Sequence, residues 1–161
     1  MIDLTDVEPD DAGAFGSYYN LHDGTGVKTL FMYLEDAPKS ERELLDAPVW
    51  QTAAAELGDL LKVESSGLTP KGLGLEVVKK GSHYYAGIRM EHLERHSPHM
   101  MVYERCVRIE KALNNRLGRV TGYIHGDLHP GNIIITGGSG RPVRIKAVDF
   151  GSGYLKPRSE R

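Results

Sequence analysis

The chain has 161 residues, enough for one ordinary domain or two small lobes with a real core. Its formal charge of −2, from 20 basic and 22 acidic side chains, argues against a general nucleic-acid binder, and its basic residues gather in nothing larger than a pair. The single cysteine, Cys106, excludes an intrachain disulfide and a cysteine zinc site. Runs such as Ile133-Ile134-Ile135 are too short to span a membrane, and Met1-Ile2-Asp3 opens no signal pattern, so a cytoplasmic protein without a membrane partner is expected.

Residues 16–21 and 27–34 are rich in aromatic and β-branched side chains and flank the turn sequence His22-Asp23-Gly24-Thr25-Gly26, which predicts a β-hairpin. Residues 38–48 are charged and carry two prolines, Pro38 and Pro48, so a loop with one helical turn is expected. Trp50, Ala53, Leu57, Leu60 and Leu61 then recur at helical spacing, predicting a helix over 49–63 that stops at Ser65-Ser66-Gly67. Residues 73–79 and 84–90 read as a second hairpin around Lys80-Gly81-Ser82.

A break near residues 92–97 divides the expected domains, 1–93 and 94–161. A helix then starts at Ser97-Pro98 and carries Val102, Cys106, Ile109, Leu113 and Leu117 on one stripe, with Gly118 as its stop. On that stripe Cys106 reads as a packing residue, and Met100-Met101 as core. Residues 133–136 and 143–148 form a third hairpin around Gly137-Gly138-Ser139-Gly140, and the tail from 152 is polar, with Lys156, Arg158 and Arg161 read as solvated. Hairpins and helices in this order predict an α+β fold rather than a doubly wound parallel sheet. His92, His96 and His99 share helical spacing but lack a fourth ligand, so the segment reads as a linker rather than a metal site.

The chemistry is concentrated in His125-Gly126-Asp127-Leu128-His129-Pro130-Gly131-Asn132, followed across the last hairpin by Asp149-Phe150-Gly151. These residues resemble the protein-kinase-like superfamily: a His, an Asp two residues on, an Asn five beyond that, and an Asp-Phe-Gly loop after two short strands. The string looks most like aminoglycoside phosphotransferases and choline-kinase-like enzymes, and it is also similar to UbiB-type kinases and the small RIO-type atypical kinases. Gly13-Ala14-Phe15-Gly16 looks like the family's glycine-rich loop, with Asp11 where the first glycine would stand, and Gly26-Val27-Lys28 like its lysine strand.

The resemblance implies a two-lobed fold with a small antiparallel N-lobe sheet and a truncated C-lobe, binding ATP and Mg²⁺ between the lobes. Asp127 would orient and deprotonate an acceptor hydroxyl, Asn132 and Asp149 would hold Mg²⁺, and Lys28 would position phosphates under Gly13, Phe15 and Gly16. Glu56, at the edge of the helix stripe, is the expected partner of Lys28, ahead of Asp59 and Glu43. Glu91 and His92 would form the hinge that meets adenine through the backbone. His125 is expected to pack the catalytic loop rather than act as a base. Gly126 stands where many regulated protein kinases carry Arg, which argues against control by a phosphorylated activation loop. Ten residues follow Gly151, so the family's substrate-holding helices are expected to be absent and a protein Ser/Thr hydroxyl to be the acceptor. An oligomer or a partner protein would then complete the platform. A small-molecule kinase and a non-catalytic nucleotide-binding module are the alternatives.

Overall fold

A computed structural model of the chain describes residues 1–12, 16–94, 103–138, 140–151 and 153–158. Gly13, Ala14, Phe15, His96, Ser97, Pro98, His99, Met100, Met101, Val102, Arg161 and the side chain of Cys106 lie outside them, so the expected loop, helix start and packing at those positions do too. The described residues form an α+β protein. Its strands are β1 (Ile2–Asp3), β2 (Asp11–Ala12), β3 (Gly16–Asn20), β4 (Thr25–Leu34), β5 (Gly72–Lys80), β6 (His83–Glu91), β7 (Tyr123–His125), β8 (Ile133–Gly138), β9 (Arg141–Ala147) and β10 (Leu155–Pro157). Its helices are α1 (Glu41–Asp46), α2 (Pro48–Val63) and α3 (Tyr103–Thr121). Two compact units divide the chain: Met1–Gly58 with Gly72–His92, and Asp59–Lys71 with Leu93–Arg161. Among the described residues no helix is long and apolar enough to cross a membrane.

The first unit is built on a six-stranded sheet in the order β1-β5-β6-β4-β3-β2. It is mixed rather than antiparallel throughout: β1 runs parallel to β5, with Ile2 opposite Val78, while the other pairs are antiparallel. A two-residue strand carries no alternation to read, and its partner is distant in sequence, so β1 is invisible to a hydrophobic-pattern argument. Alternation gives the sheet two apolar faces. On one, Leu30, Leu34, Ala86 and Ile88 pack with Val49, Trp50 and Ala53 of α2. On the other, Tyr19, Val27 and Val78 pack beneath Leu4 of the N-terminal segment. Burying each such aliphatic side chain is worth about 1.5–3 kcal/mol.

Residues 38–48 are more ordered than a loop. Ser40 caps α1 by accepting from the Glu43 N–H at 3.2 Å, and Pro48 starts α2 rather than interrupting it, since a first-turn N–H is not required. The stripe of α2 is also shifted from the expected one: Val49, Trp50, Ala53, Glu56, Leu60 and Val63 are buried, and Leu61 is 48% exposed.

In the second unit, α3 runs through Gly118 and ends at Thr121, with Gly122 at φ +79°. Gly118 therefore serves packing, not termination. A Cβ there would stand 3.0 Å from Arg158 Cδ and 3.2 Å from Ile124 Cγ2, while Gly122 supplies the left-handed residue that ends a helix. Lys156 and Arg158 are exposed, as expected, but the backbone of the tail is paired. Residues 155–157 form β10, antiparallel to β7, and the Arg158 N–H donates to Gly122 O at 2.8 Å. β8 and β9 form the third hairpin.

Candidate active site

In the first unit the polar centre is Lys28. Its strand register puts it opposite Tyr18 on β3 and Ile88 on β6, on the face that receives α2. Glu56 is three residues after Ala53 and four before Leu60, so the stripe that packs α2 also turns its carboxylate inward. Lys28 Nζ donates to Glu56 Oε1, and the two side chains are only 13% and 9% exposed. The rival acids lie elsewhere. Asp59 pairs with Lys62 at 3.3 Å on the surface, and Glu43 accepts from the Lys39 N–H at 2.9 Å.

Gly16 must lack a side chain for the sheet to pack. A Cβ there would stand 2.0 Å from Thr29 O on the neighbouring strand. Asp11 is exposed on β2, opposite Tyr18. Glu91 ends β6 opposite Thr25. The His92 N–H donates to Gly24 O at 3.0 Å, so this backbone donor is engaged by the turn between β3 and β4. A cavity of about 300 Å³ in this unit lies beside Tyr19, Thr29, Val78 and Tyr85 and includes neither Lys28 nor Glu56.

In the second unit the organiser is His125, 1% exposed at the end of β7. Its Nδ1 accepts the Asp127 N–H at 3.1 Å, which fixes the proton on Nε2. Nε2–H then donates to Val148 O and Asp149 O, at 2.9 and 2.7 Å. One neutral ring thus joins the two acidic loops. Burial lowers its pKa, opposed by the bonds to the Val148 and Asp149 carbonyls and by the charges of Asp149 and Asp127. Phe150 and Tyr154 enclose it, with ring centroids at 4.8 and 6.0 Å.

Three oxygen-bearing side chains are set by this frame. Asp127 is 45% exposed, with Oδ2 3.6 Å from His129 Nε2. Asn132 is buried and closes a short turn begun by Pro130; its Nδ2 donates to Asp127 O at 2.9 Å and lies 3.1 Å from His129 Nε2, while the Val148 N–H donates to Asn132 O at 2.9 Å. That arrangement leaves Asn132 Oδ1 as the amide's acceptor. Asp149 sits at φ +64°, a left-handed conformation that costs a non-glycine residue about 1 kcal/mol or more. Gly126 is close to Tyr154 O: a Cβ would approach it to 2.9 Å, which disfavours any larger residue there.

Asn114 on α3 was not legible as a site residue. Its Oδ1 accepts the His125 N–H at 2.8 Å and its Nδ2 donates to His125 O at 2.9 Å. The sequence offers no distinct signal for it, since Asn114 and Asn115 both follow Leu113. Lys146, buried on β9, donates to Gly67 O at 2.6 Å, and the adjacent Ala147 N–H donates to Leu68 O at 2.8 Å.

Among the described residues no three His, Cys, Asp or Glu side chains cluster to hold a metal by themselves. Asn132 Oδ1 and the Asp149 carboxylate are hard oxygen donors. They suit a cation such as Mg²⁺ that takes the rest of its shell from water and phosphate. No family model matches the chain, and no curated protein matches it either.

Proposed function

We propose that the chain is an ATP- and Mg²⁺-dependent phosphotransferase with a kinase-like two-lobed fold, its two units being the lobes. It would move the γ-phosphate to a hydroxyl, in the first instance of a protein Ser or Thr. The observation that carries this reading is the single His125 ring bonded to Asp127 N, Val148 O and Asp149 O, which joins the backbone of the proposed proton acceptor, Asp127, to that of the proposed cation ligand, Asp149. The buried Lys28–Glu56 pair supports it from the other unit.

Lys28, held by Glu56, binds the phosphates of ATP. Asn132 and Asp149 would hold the cation, which when bound would offset the negative charge of the phosphates. Asp127 accepts the proton of the acceptor hydroxyl as its oxygen bonds to the γ-phosphorus; the bond from that phosphorus to the β,γ-bridging oxygen breaks and ADP leaves. The left-handed backbone at Asp149 and the bonds of Asn132 keep these groups ordered before substrate arrives, and order of this kind lowers the barrier. A small-molecule hydroxyl is the second acceptor class, favoured by the His125–Asn132 string. The lone cysteine suits a reducing, cytoplasmic setting.

The test is the intact mass of the chain after incubation with ATP and Mg²⁺, together with ATP turnover in the presence of peptide and small-molecule acceptors. Phosphate transfer in the parent that is lost in both Asp127→Asn and Asp149→Ala is the expected result. Binding of ATP with no transfer to any acceptor would assign a non-catalytic nucleotide module instead.

A further inference from the structure

Beside Lys28 the sheet carries a bare patch. Gly26 lies two residues earlier on β4 and on the same face, with Met90 opposite it on β6. Tyr18, the cross-strand partner of Lys28, leans over that glycine. A Cβ at Gly26 would stand 1.8 Å from Tyr18 Oη and 2.3 Å from its Cζ, so the ring rests against the backbone. The far end of the ring is fastened. Tyr18 Oη lies 2.8 Å from His92 Nδ1 in a hydrogen bond, and the two rings stack with centroids 5.8 Å apart and planes at 17°. His92 is itself anchored by its N–H to Gly24 O.

A glycine that faces a neighbouring group across a sheet leaves a slot one ring thick. This slot begins about 7 Å along the strand from Lys28, which is room for one sugar between a phosphate at the lysine and a flat base on Gly26. Resting on the phosphotransferase reading, we propose that Tyr18 is a latch. Its ring fills the slot that the base of a nucleoside triphosphate needs, and the base enters only after Tyr18 leaves His92 and swings off Gly26. The latch taxes affinity for the base and leaves affinity for the phosphates untouched, because only the fraction of molecules with an open slot can take the base.

The experiment compares dissociation constants of the full chain for MgATP and for magnesium tripolyphosphate, which has the phosphates and no base. Tyr18→Val removes the ring, and Tyr18→Phe keeps it but loses the bond to His92. Thermal melts report whether each variant is folded. Tyr18→Val is expected to bind MgATP about tenfold tighter than the parent and Tyr18→Phe by a smaller factor, both with unchanged tripolyphosphate affinity. Tripolyphosphate binding that depends on Lys28, with MgATP affinity unmoved or weakened in folded Tyr18→Val, overturns the latch alone; a weakening would make Tyr18 a stacking platform. Failure of every form to bind either ligand, or binding indifferent to Lys28→Met, overturns the phosphotransferase reading and the latch with it.

Discussion

Replacing Asn114 by Ala should loosen the His125 frame without touching any proposed reacting atom. The amide makes two bonds to the His125 backbone, at 2.8 and 2.9 Å, and His125 is 1% exposed, so solvent does not replace them readily. Each buried backbone group left without a partner costs about 1–3 kcal/mol. Asn114 is only partly buried, and a water admitted by the truncation recovers some of that, so the net loss should be about 2–3 kcal/mol. For a chain of this size each kcal/mol moves the melting temperature by about 2–4 °C, so Asn114→Ala should melt about 5–10 °C lower. Urea denaturation and thermal melts followed by circular dichroism measure it. Asn114→Asp should do no better, because it keeps an acceptor for the His125 N–H but sets a second oxygen against His125 O. If Asn114→Ala stays within about 0.5 kcal/mol of the parent, the two bonds do not hold the loop and His125 is fixed by its ring contacts alone.

Breaking the Lys28–Glu56 pair from one side should be costly, because it strands a buried charge: Lys28→Met should lose about 3 kcal/mol in urea titrations, and Lys28→Met/Glu56→Leu should recover most of it. Glu56→Gln should slow phosphate transfer by about a hundredfold in initial-rate assays, and full retained activity would reject its role at Lys28. The lowered pKa of His125 ties stability to pH. Its folded-state value lies below the unfolded value of about 6.5, so its contribution is complete above pH 6.5 and is lost as pH falls toward the folded value. The stability advantage of the parent over His125→Gln should accordingly shrink between pH 7.5 and pH 5.5. Gly16→Ala should destabilise by about 2 kcal/mol or more, since its Cβ meets the Thr29 carbonyl at 2.0 Å; an unchanged melt would show that the strands can move apart.

What could be read from the sequence was what local pattern encodes. Glu56 stood out because a carboxylate falls on an apolar helix stripe, and the hairpins around Gly24 and Gly81 because their turns take positive φ at both glycines. What escaped was decided by neighbours distant in the chain. Gly118 looks like a helix stop until Ile124 and Arg158 are seen pressing on it. The 155–157 tail has no apolar pattern because its pairing with β7 is made by backbone groups. Asn114 matters through the backbone of a residue eleven positions away, and no residue type announces that.

The parallel pairing of β1 with β5 sets an order of assembly during synthesis. Ile2 leaves the ribosome before its partner Val78, which follows only after both long elements between them, β4 and α2, have been made. The N-terminal strand must therefore wait, and closing so long a loop is slow relative to forming hairpins. Until it docks, the outer edge of β5 and the apolar face of Tyr19, Val27 and Val78 are open to other chains. A fusion or tag that hinders Met1–Asp3 would thus be felt as aggregation of newly made protein before any loss in the folded molecule.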